Sequence, residues 1–309
     1  MPQISREILK RLILSESGAS AVGVARVAEV CEHDRNLFKR WIADGCHADM
    51  SYLERYAEVR DNPELLLPGA KSIIMAAFSF ANPDAVAEMK AAGQPLIAEY
   101  ALGKDYHNEV RARLMKAATK LAENYGGEWR VCVDTAPLRE RYWARRAGVG
   151  FIGKNNYLII PGLGAHFVLG ALLWTGRVDD GYDTPCALQC DDCQKCVRAC
   201  PGAALSSDGQ LDARRCLSYL TIESRDPIPS DINTCKSVFG CDICRCVCPH
   251  EPHQPPQTNI PAFVAHQEIT ALTRENWLNM TPSHFKKLFR DSPLRRTRLD
   301  KIKSILSGQ

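Results

Sequence analysis

Two cysteine-rich runs with related spacing constrain this chain more than any other feature of its sequence. The first run, CDDCQKCVRACP, contains Cys190, Cys193, Cys196 and Cys200. Its spacing, C-x2-C-x2-C-x3-C-P, is the bacterial ferredoxin pattern, in which three cysteines bind one [4Fe-4S] cluster and the fourth binds a second cluster. A second half is therefore expected, and the run FGCDICRCVCP provides Cys241, Cys244 and Cys248.

Together with Cys216, which lies between the two runs, these cysteines supply ligands for two clusters. We assign one cluster to Cys190, Cys193, Cys196 and Cys248, and the other to Cys200, Cys216, Cys241 and Cys244. A zinc site is the alternative, because C-x2-C pairs also suit tetrahedral zinc. Zinc sites do not need the three-residue step and the proline that recur in both runs, so the spacing favours two clusters and predicts electron transfer.

Six of the 14 cysteines lie outside this assignment. Three of them are close to the ligands but break the Cys-Pro pattern, and we predict that they are spectators: Cys186, Cys235 and Cys246. The last of these could replace a ligand in a damaged cluster. The other three are expected to be small buried residues: Cys31, Cys46 and Cys132.

The rest of the chain predicts a cytoplasmic protein with no membrane partner. Its best apolar runs, 73–80 and 167–174, have eight residues each, whereas a membrane-spanning helix needs about 18. The first residues place Arg6, Lys10 and Arg11 inside an apolar stretch, unlike a signal peptide. In a reducing compartment, clustered thiols are more often metal ligands than disulfides.

Hydrophobic periodicity predicts an α+β fold. We expect an apolar strand at 71–80, an amphipathic helix at 107–125, a helix at 50–59 and another that begins near Pro137. The length suits about two domains plus a tail, which we place at 1–180 (catalytic body), 181–255 (ferredoxin-like module) and 256–309 (basic helical segment). From Lys286 to Lys303, eight Lys or Arg face two Asp, a net charge of +6. This stretch is either a solvated helical face or a surface that contacts nucleic-acid phosphates.

Clusters only move electrons, so the body should contain the acceptor. Three polar segments stand out: LGKDYH at 102–107, VDTAPLRERYWARRAGVGFIGKN at 133–155 and CLSYLTIE at 216–223. In the second, Asp134 lies between a predicted strand and a predicted helix, where it either faces a cleft or caps the helix. His107 and His166 could be ligands, although an isolated histidine is more often structural. No glycine-rich nucleotide-binding motif is present in the sequence.

Over about residues 20–250, these segments together resemble the epoxyqueuosine reductase family, the cobalamin-dependent iron-sulfur enzymes of the last step of queuosine biosynthesis in tRNA. The resemblance is carried by the segments LLLPGAKSII, GKDYH, VDTAPLRERYWARRAGVGFIGKN, CDDCQKCVRACPGAAL, LDARRCLSYLTIE and FGCDICRCVCP. It implies a nitroreductase-like body that holds base-off cobalamin against the ferredoxin-like module. The corrinoid motif D-x-H-x-x-G, which supplies a histidine ligand to cobalt, is absent from the sequence.

The resemblance also implies site residues. It makes Asp134 the general acid and aligns further positions with cobalamin contacts: Arg60, Ala98, Asp134, Leu158, Leu169, Ser218, Cys241 and Asp242. We add two charged residues near the expected pocket, Arg141 and Lys154. Where family members often read GSWFFLGE, this chain has GAHFVLGA, so His166 and Ala171 alter the expected pocket wall.

The implied reaction removes an epoxide oxygen with two electrons. The implied partners are tRNA carrying epoxyqueuosine at the anticodon wobble position and an unidentified low-potential electron donor, and the implied state is a monomer. Many members have a C-terminal helical-repeat domain. Here the basic tail and the module surface are expected to contact tRNA instead. Three alternatives remain open: a ferredoxin-like electron carrier, a corrinoid reductive dehalogenase, and an iron-sulfur protein that binds nucleic acid without turnover.

Overall fold

A four-stranded antiparallel sheet lies at the centre of the first half of the chain. The computed structural model describes residues 3–308. Its strands are β1 Gln3–Ile4, β2 Ala21–Arg26, β3 Ser72–Ser79, β4 Leu96–Ile97, β5 Trp129–Cys132, β6 Phe151–Ile152, β7 Leu158–Ile159, β8 Phe167–Trp174, β9 Arg177–Val178 and β10 Ser237–Phe239. The central sheet has the order β2-β3-β8-β5, and the other strands form three two-stranded pairs: β1 with β9, β4 with β10 and β6 with β7.

The helices pack on both faces of this sheet and continue through the C-terminal half. They are α1 Arg6–Ser17, α2 Glu32–Ala43, α3 Ala57–Asp61, α4 Pro83–Ala91, α5 Tyr106–Tyr125, α6 Glu140–Arg146, α7 Lys195–Ala199, α8 Leu217–Ile222, α9 Ile243–Cys246, α10 Gln267–Thr270, α11 Arg274–Asn279, α12 Pro282–Leu288 and α13 Leu299–Ser307. The fold is therefore a mixture of α and β structure, as the sequence predicts. No helix in residues 3–308 is long and apolar enough to span a membrane.

The uninterrupted apolar sequence of β3 follows from its position in the middle of the sheet. Ile74 and Phe78 face the cluster that α1 and α5 cover, whereas Ile73 and Met75 face the cluster that contains α6. Because both faces of the strand are buried, apolar residues occupy consecutive positions instead of alternating with polar ones. The expected strand at 71–80 is confirmed.

The C-terminal segment packs against both of the preceding predicted domains. Phe263 lies in the core of the central sheet. Trp277 and Ile302 share a third hydrophobic cluster with Met89 of the body and Phe239 of the cysteine-rich part. The predicted domain boundaries therefore stay a prediction, and the packing across them is extensive.

Three local predictions are wrong. The expected helix at 50–59 is divided, because Tyr56 adopts a left-handed backbone conformation with φ 57° and α3 begins only after it. Pro137 lies outside α6, whose N-terminal cap is Arg139. Cys31 is exposed instead of buried, because it caps α2 at the surface and its thiol donates to Asp34 at 2.8 Å.

Candidate active site and cluster-binding region

Four cysteines line a single pocket beside α7 and α9. The pocket is formed by Cys190, Cys193, Cys196 and Cys248, together with Lys154, Asn155, Pro249 and His250. Lys154 Nζ donates to the carbonyl oxygen of Asp191 at 2.9 Å and to that of Cys193 at 3.4 Å. Lys154, which we predicted as a cofactor contact, therefore lies against the loop that carries these cysteines.

The other four predicted ligands form a second group of thiols, deeper in the protein. Burial, followed by the charges of Asp242, Cys216 and Cys200, raises the pKa of Cys241 to about 12. Burial and the neighbouring thiols Cys241, Cys216 and Cys200 likewise raise the pKa of Cys244. In the first group, the pKa of Cys196 is raised by burial and by Cys190 and Cys193.

The eight thiols thus lie in two sets of four, and their assignment as ligands of two clusters stays a prediction. A [4Fe-4S] cluster takes four thiolates arranged around an inorganic core, and each set offers that donor chemistry.

The three predicted spectators lie at different places. Cys186 packs beside Cys190 and Cys248 in a small hydrophobic cluster. Cys235 and Cys246 are exposed. The charges that act on the Cys246 thiol are those of Arg245, Asp242, Lys90 and Glu99, and no ligand thiol is among these.

Asp134 is hydrogen-bonded to a histidine that a second aspartate also contacts. Asp134 Oδ2 lies 2.9 Å from His107 Nε2, and Asp105 Oδ1 lies 2.5 Å from His107 Nδ1. Asp105 caps α5 by accepting the backbone N–H of His107, and the ring of Tyr106 stacks on the imidazole at 4.2 Å. Hydrogen bonds from His107 to Asp105 and then to Asp134 raise the pKa of His107 to about 9, although burial lowers it.

The backbone at Asp134 is unusual and directs the carboxylate towards His107. Its φ is 46°, a left-handed conformation that is uncommon for a residue with a side chain. The Asp134 N–H donates to Glu140 Oε1 at 2.7 Å. Burial and then the charge of Asp134 raise the pKa of Glu140 to about 8. Asp134 does not cap α6, because the capping position is occupied by Arg139.

Arg141 and Tyr157 lie between Asp134 and the second group of thiols, and we expect the cleft in this region. Arg141 is exposed to solvent, and its guanidinium donates to the carbonyl oxygen of Asn156. The charges of Tyr157, Glu140 and Asp134 all act on it. Burial raises the pKa of Tyr157, and the charges of Asp242 and Cys244 raise it further.

Two of the predicted contacts can be placed relative to Asp134. Asp134 lies close enough to Arg60 for its charge to affect the pKa of that residue. Leu169 lies on β8, two residues from Ala171, which pairs with the last residue of β5, Cys132, and it packs against the second hydrophobic cluster. Ala171 itself is buried in the core and does not line the cleft.

The other predicted contacts lie where the body meets the cysteine-rich part. Ala98 N–H donates to the Phe239 carbonyl at 2.8 Å, and the next N–H, that of Glu99, donates to Asp242 Oδ2 at 2.8 Å. Leu158 is buried beside Tyr157. Ser218 lies in the first turn of α8. A hydrogen bond from its N–H to the Cys216 thiol opposes the rise in the pKa of that thiol.

A buried ion-pair network that sequence reasoning missed joins the same two parts. Arg245, between two cysteines of α9, donates to Glu99 Oε2 at 2.7 Å and lies 3.1 Å from Asp242. His166 lies 2.9 Å from both Glu99 and Glu251. The GAHFVLGA departure was the one sequence signal for this network, because it places a titratable residue where the family pattern has none.

Comparisons with known proteins agree with this arrangement. A family model described as "Epoxyqueuosine reductase QueG, DUF1730" matches residues 60–135, and one described as "4Fe-4S double cluster binding domain" matches residues 189–251. The curated epoxyqueuosine reductase of Cellulophaga algicola is 31% identical over 93% of this chain and 92% of its own length. That of Cyclobacterium marinum is 35% identical over 92% of this chain and 90% of its own length.

Solved structures show the same likeness. A crystal structure of epoxyqueuosine reductase with a tRNA-Tyr epoxyqueuosine-modified stem loop superposes with a TM-score of 0.82 at 27% identity, covering 97% of this chain and 80% of that one. The structure of the protein from Streptococcus thermophilus also gives a TM-score of 0.82, at 24% identity, over 97% of this chain and 79% of that one.

Proposed function

This chain belongs to the epoxyqueuosine reductase family, and we propose that it converts epoxyqueuosine in tRNA to queuosine. The reaction consumes two electrons and two protons, breaks both C–O bonds of the epoxide, forms an alkene and releases the oxygen as water. The observation that carries the proposal is the contact between Asp134 and His107, near Arg141.

The chain has a double [4Fe-4S] cluster-binding domain. We assign one cluster to Cys190, Cys193, Cys196 and Cys248, and the other to Cys200, Cys216, Cys241 and Cys244. We further propose base-off cobalamin in the cleft, which would supply a strongly reducing, nucleophilic cobalt centre. Both His107 nitrogen atoms contact carboxylates, so this ring would hold a proton and would not be a ligand of the cofactor. A nitroreductase-like fold of the body remains part of this proposal.

The residues of the chain hold and deliver the protons. At neutral pH, the raised pKa of His107 keeps the imidazole protonated between two carboxylates. We propose that this proton passes from Nε2 to Asp134 Oδ2, which protonates the leaving epoxide oxygen as general acid. Arg60 and Arg141 would orient polar groups of the cofactor or the substrate. Ala98, Leu158, Leu169, Ser218, Cys241 and Asp242 would line the cofactor site.

The proposed partners are tRNA and an electron donor of low potential. The solved relative with a bound tRNA stem loop supports the first of these. A tRNA loop presents unstacked bases that a cleft can accept, unlike a base inside a duplex. A monomeric state also remains a proposal.

Mass spectrometry of tRNA nucleosides tests the proposal. Anaerobically reconstituted protein is incubated with cobalamin, a strong reductant and tRNA bearing epoxyqueuosine, and cobalamin-dependent loss of one oxygen is expected. Asp134→Asn should reduce turnover by about 10²- to 10⁴-fold, because it removes the proposed general acid. Asp84→Asn, at an exposed position on α4, is the matched control. If the epoxide survives with both clusters reduced, the chain is an electron carrier or acts on another substrate.

A further inference from the structure

The basic tail does not present one uniform surface, because part of it lies at the entrance to the cleft. The N–H of Asp105 donates to the carbonyl oxygen of Asp291 at 2.7 Å. Asp105 is also the residue that contacts His107. This main-chain contact holds the segment 291–296 against the proposed proton-donating site.

The segment is anchored firmly. Ser292 and Leu294 are 5% and 0% exposed, and Thr297 donates to the carbonyl oxygen of Thr221 at 3.0 Å. Arg295 and Arg296 lie between these anchors and are exposed. Two cations therefore project from a turn whose backbone is held on both sides by buried residues.

Negative charges near this segment would oppose the approach of a polyanion unless a cation lies close to them. The carboxylates of Asp105 and Asp134 lie beside this segment and would repel a phosphate backbone. Burial raises the pKa of Asp105, but hydrogen bonds from His107 and the charges of His107 and Arg295 lower it below its usual value. Arg295 is thus near enough to oppose the field of these carboxylates.

The two arginines differ in what they already bind. Arg296 forms hydrogen bonds with both oxygens of Glu223, at 2.8 and 2.7 Å, and its guanidinium lies 5.9 Å from the centre of the Tyr52 ring. Within residues 3–308, Arg295 forms no ion pair, and its guanidinium donates to the carbonyl oxygen of Arg290 at 2.9 Å. Its charge is available to an incoming anion.

Tyr52 adds an aromatic surface beside these cations. Its side chain is 43% exposed, and Tyr56 in the same loop is 67% exposed. Cations that bind phosphates next to exposed rings that stack on bases are typical of proteins that bind single-stranded nucleic acid. An anticodon loop offers both groups together, and a double-stranded helix does not.

We propose that Arg295 binds a phosphate of the anticodon loop at the entrance to the cleft, with Arg296 and Tyr52 completing this contact surface. The inference rests on the proposed function and specifies how its tRNA substrate is held. Lys286 and Lys287 provide a contrast within the same tail. They lie on α12, whose buried residue Phe285 packs in the C-terminal hydrophobic cluster and not against Asp105.

The test measures binding of a fluorescent anticodon stem-loop RNA to the reconstituted holoenzyme by anisotropy, from about 50 to about 200 mM salt. Arg295→Gln removes the charge but can still donate to Arg290. It should weaken binding about tenfold at the lowest salt and lower the slope of log K against log salt by about 0.7. Arg295→Lys should restore most of the affinity. The double variant K286Q/K287Q should stay within about twofold of the wild type.

Kinetics separate this role from an indirect one. Arg295→Gln should raise KM for the stem-loop and leave kcat unchanged, because a phosphate contact is made equally in the ground and transition states. Unchanged affinity with a lower kcat would mean that Arg295 acts through Asp105, and equal losses in K286Q/K287Q would mean that the tail binds diffusely. Either result overturns the inference. Failure of the wild type to form queuosine counts instead against the proposed function, since RNA binding is measured separately.

Discussion

His107 shows most clearly what one residue gains from the fold. An isolated histidine is more often structural, and nothing in the sequence links residue 107 to residue 134. Asp105 offers a weak signal, because an aspartate two residues before a histidine at a helix start can cap the helix and contact the ring. The contact between His107 and the second carboxylate, that of Asp134, forms only in the folded chain, because β5 places Asp134 beside the start of α5.

The pKa of His107 predicts how activity depends on pH. The protonated imidazole is the proposed source of the proton, so single-turnover rates should fall as the pH rises through about 9. The hydrogen bond to Asp105 is the largest cause of this raised pKa. Asp105→Asn should therefore move the alkaline limb to lower pH, towards about 6.5. Rates measured from pH 6 to 10 check this shift, and an unmoved limb in Asp105→Asn would exclude His107 as the proton source.

At the scale of elements, helix α9 carries a predicted cluster ligand and also a buried arginine that contacts the body. The sequence predicts that Cys244 is a ligand in a ferredoxin-like run, whereas its neighbour Arg245 has no feature that distinguishes it from a surface residue of a short helix. In the fold it is 2% exposed and contacts Glu99 of the body. Spacing identifies residues that act together locally, whereas this ion pair joins residues 146 positions apart, which no local pattern encodes.

Replacement of Arg245 by Met should destabilise the junction between the body and the cluster-binding part. The substitution removes the cation of Asp242 and leaves the buried carboxylate of Glu99 with His166 as its only remaining partner of this network, a change that costs about 3–5 kcal/mol. The thermal unfolding midpoint of the holo-protein should fall by roughly 10 °C. Arg214→Met is the control, because Arg214 pairs with Asp212 at the surface and its loss should leave the midpoint unchanged. Equal midpoints for the two variants would show that the network contributes no stability.

The turn after the first cysteine run should tolerate no side chain at Gly202. A Cβ atom there would lie 1.9 Å from the carbonyl oxygen of Arg215, the residue before Cys216. Gly202→Ala must therefore displace Cys216 from Cys200, and iron content should fall from about eight atoms per chain towards about four. Gly181→Ala has room for the methyl group but a left-handed φ of 88°, so it measures backbone strain alone. Full iron content in Gly202→Ala would contradict the assignment of Cys200 and Cys216 to one cluster.

At the scale of the whole molecule, the sequence predicts which residues carry chemistry better than it predicts how the parts meet. The membership of the two thiol groups follows from spacing alone, because ferredoxin-like runs encode it locally. Other features depend on contacts between distant segments. Examples are the hydrogen bond from the Asp105 N–H to the Asp291 carbonyl and the packing of Trp277 with Phe239. The tail was therefore predicted as a separate basic segment, although its hydrophobic side chains complete the core.

The order of the thiol groups along the molecule predicts the direction of electron flow. The first group shares its pocket with Lys154 and His250, whereas Cys244 and Cys216 of the second group raise the pKa of Tyr157, which lies near Arg141. Cys193→Ala and Cys244→Ala should each lose about half of the iron and one of two electron paramagnetic resonance signals. Only Cys193→Ala should still reduce the epoxide with a small chemical reductant, because its remaining cluster site adjoins the cleft. Cys246→Ala, at an exposed spectator, is the control. Equal activity in Cys193→Ala and Cys244→Ala would refute this order, since it would mean that either group reaches the substrate alone.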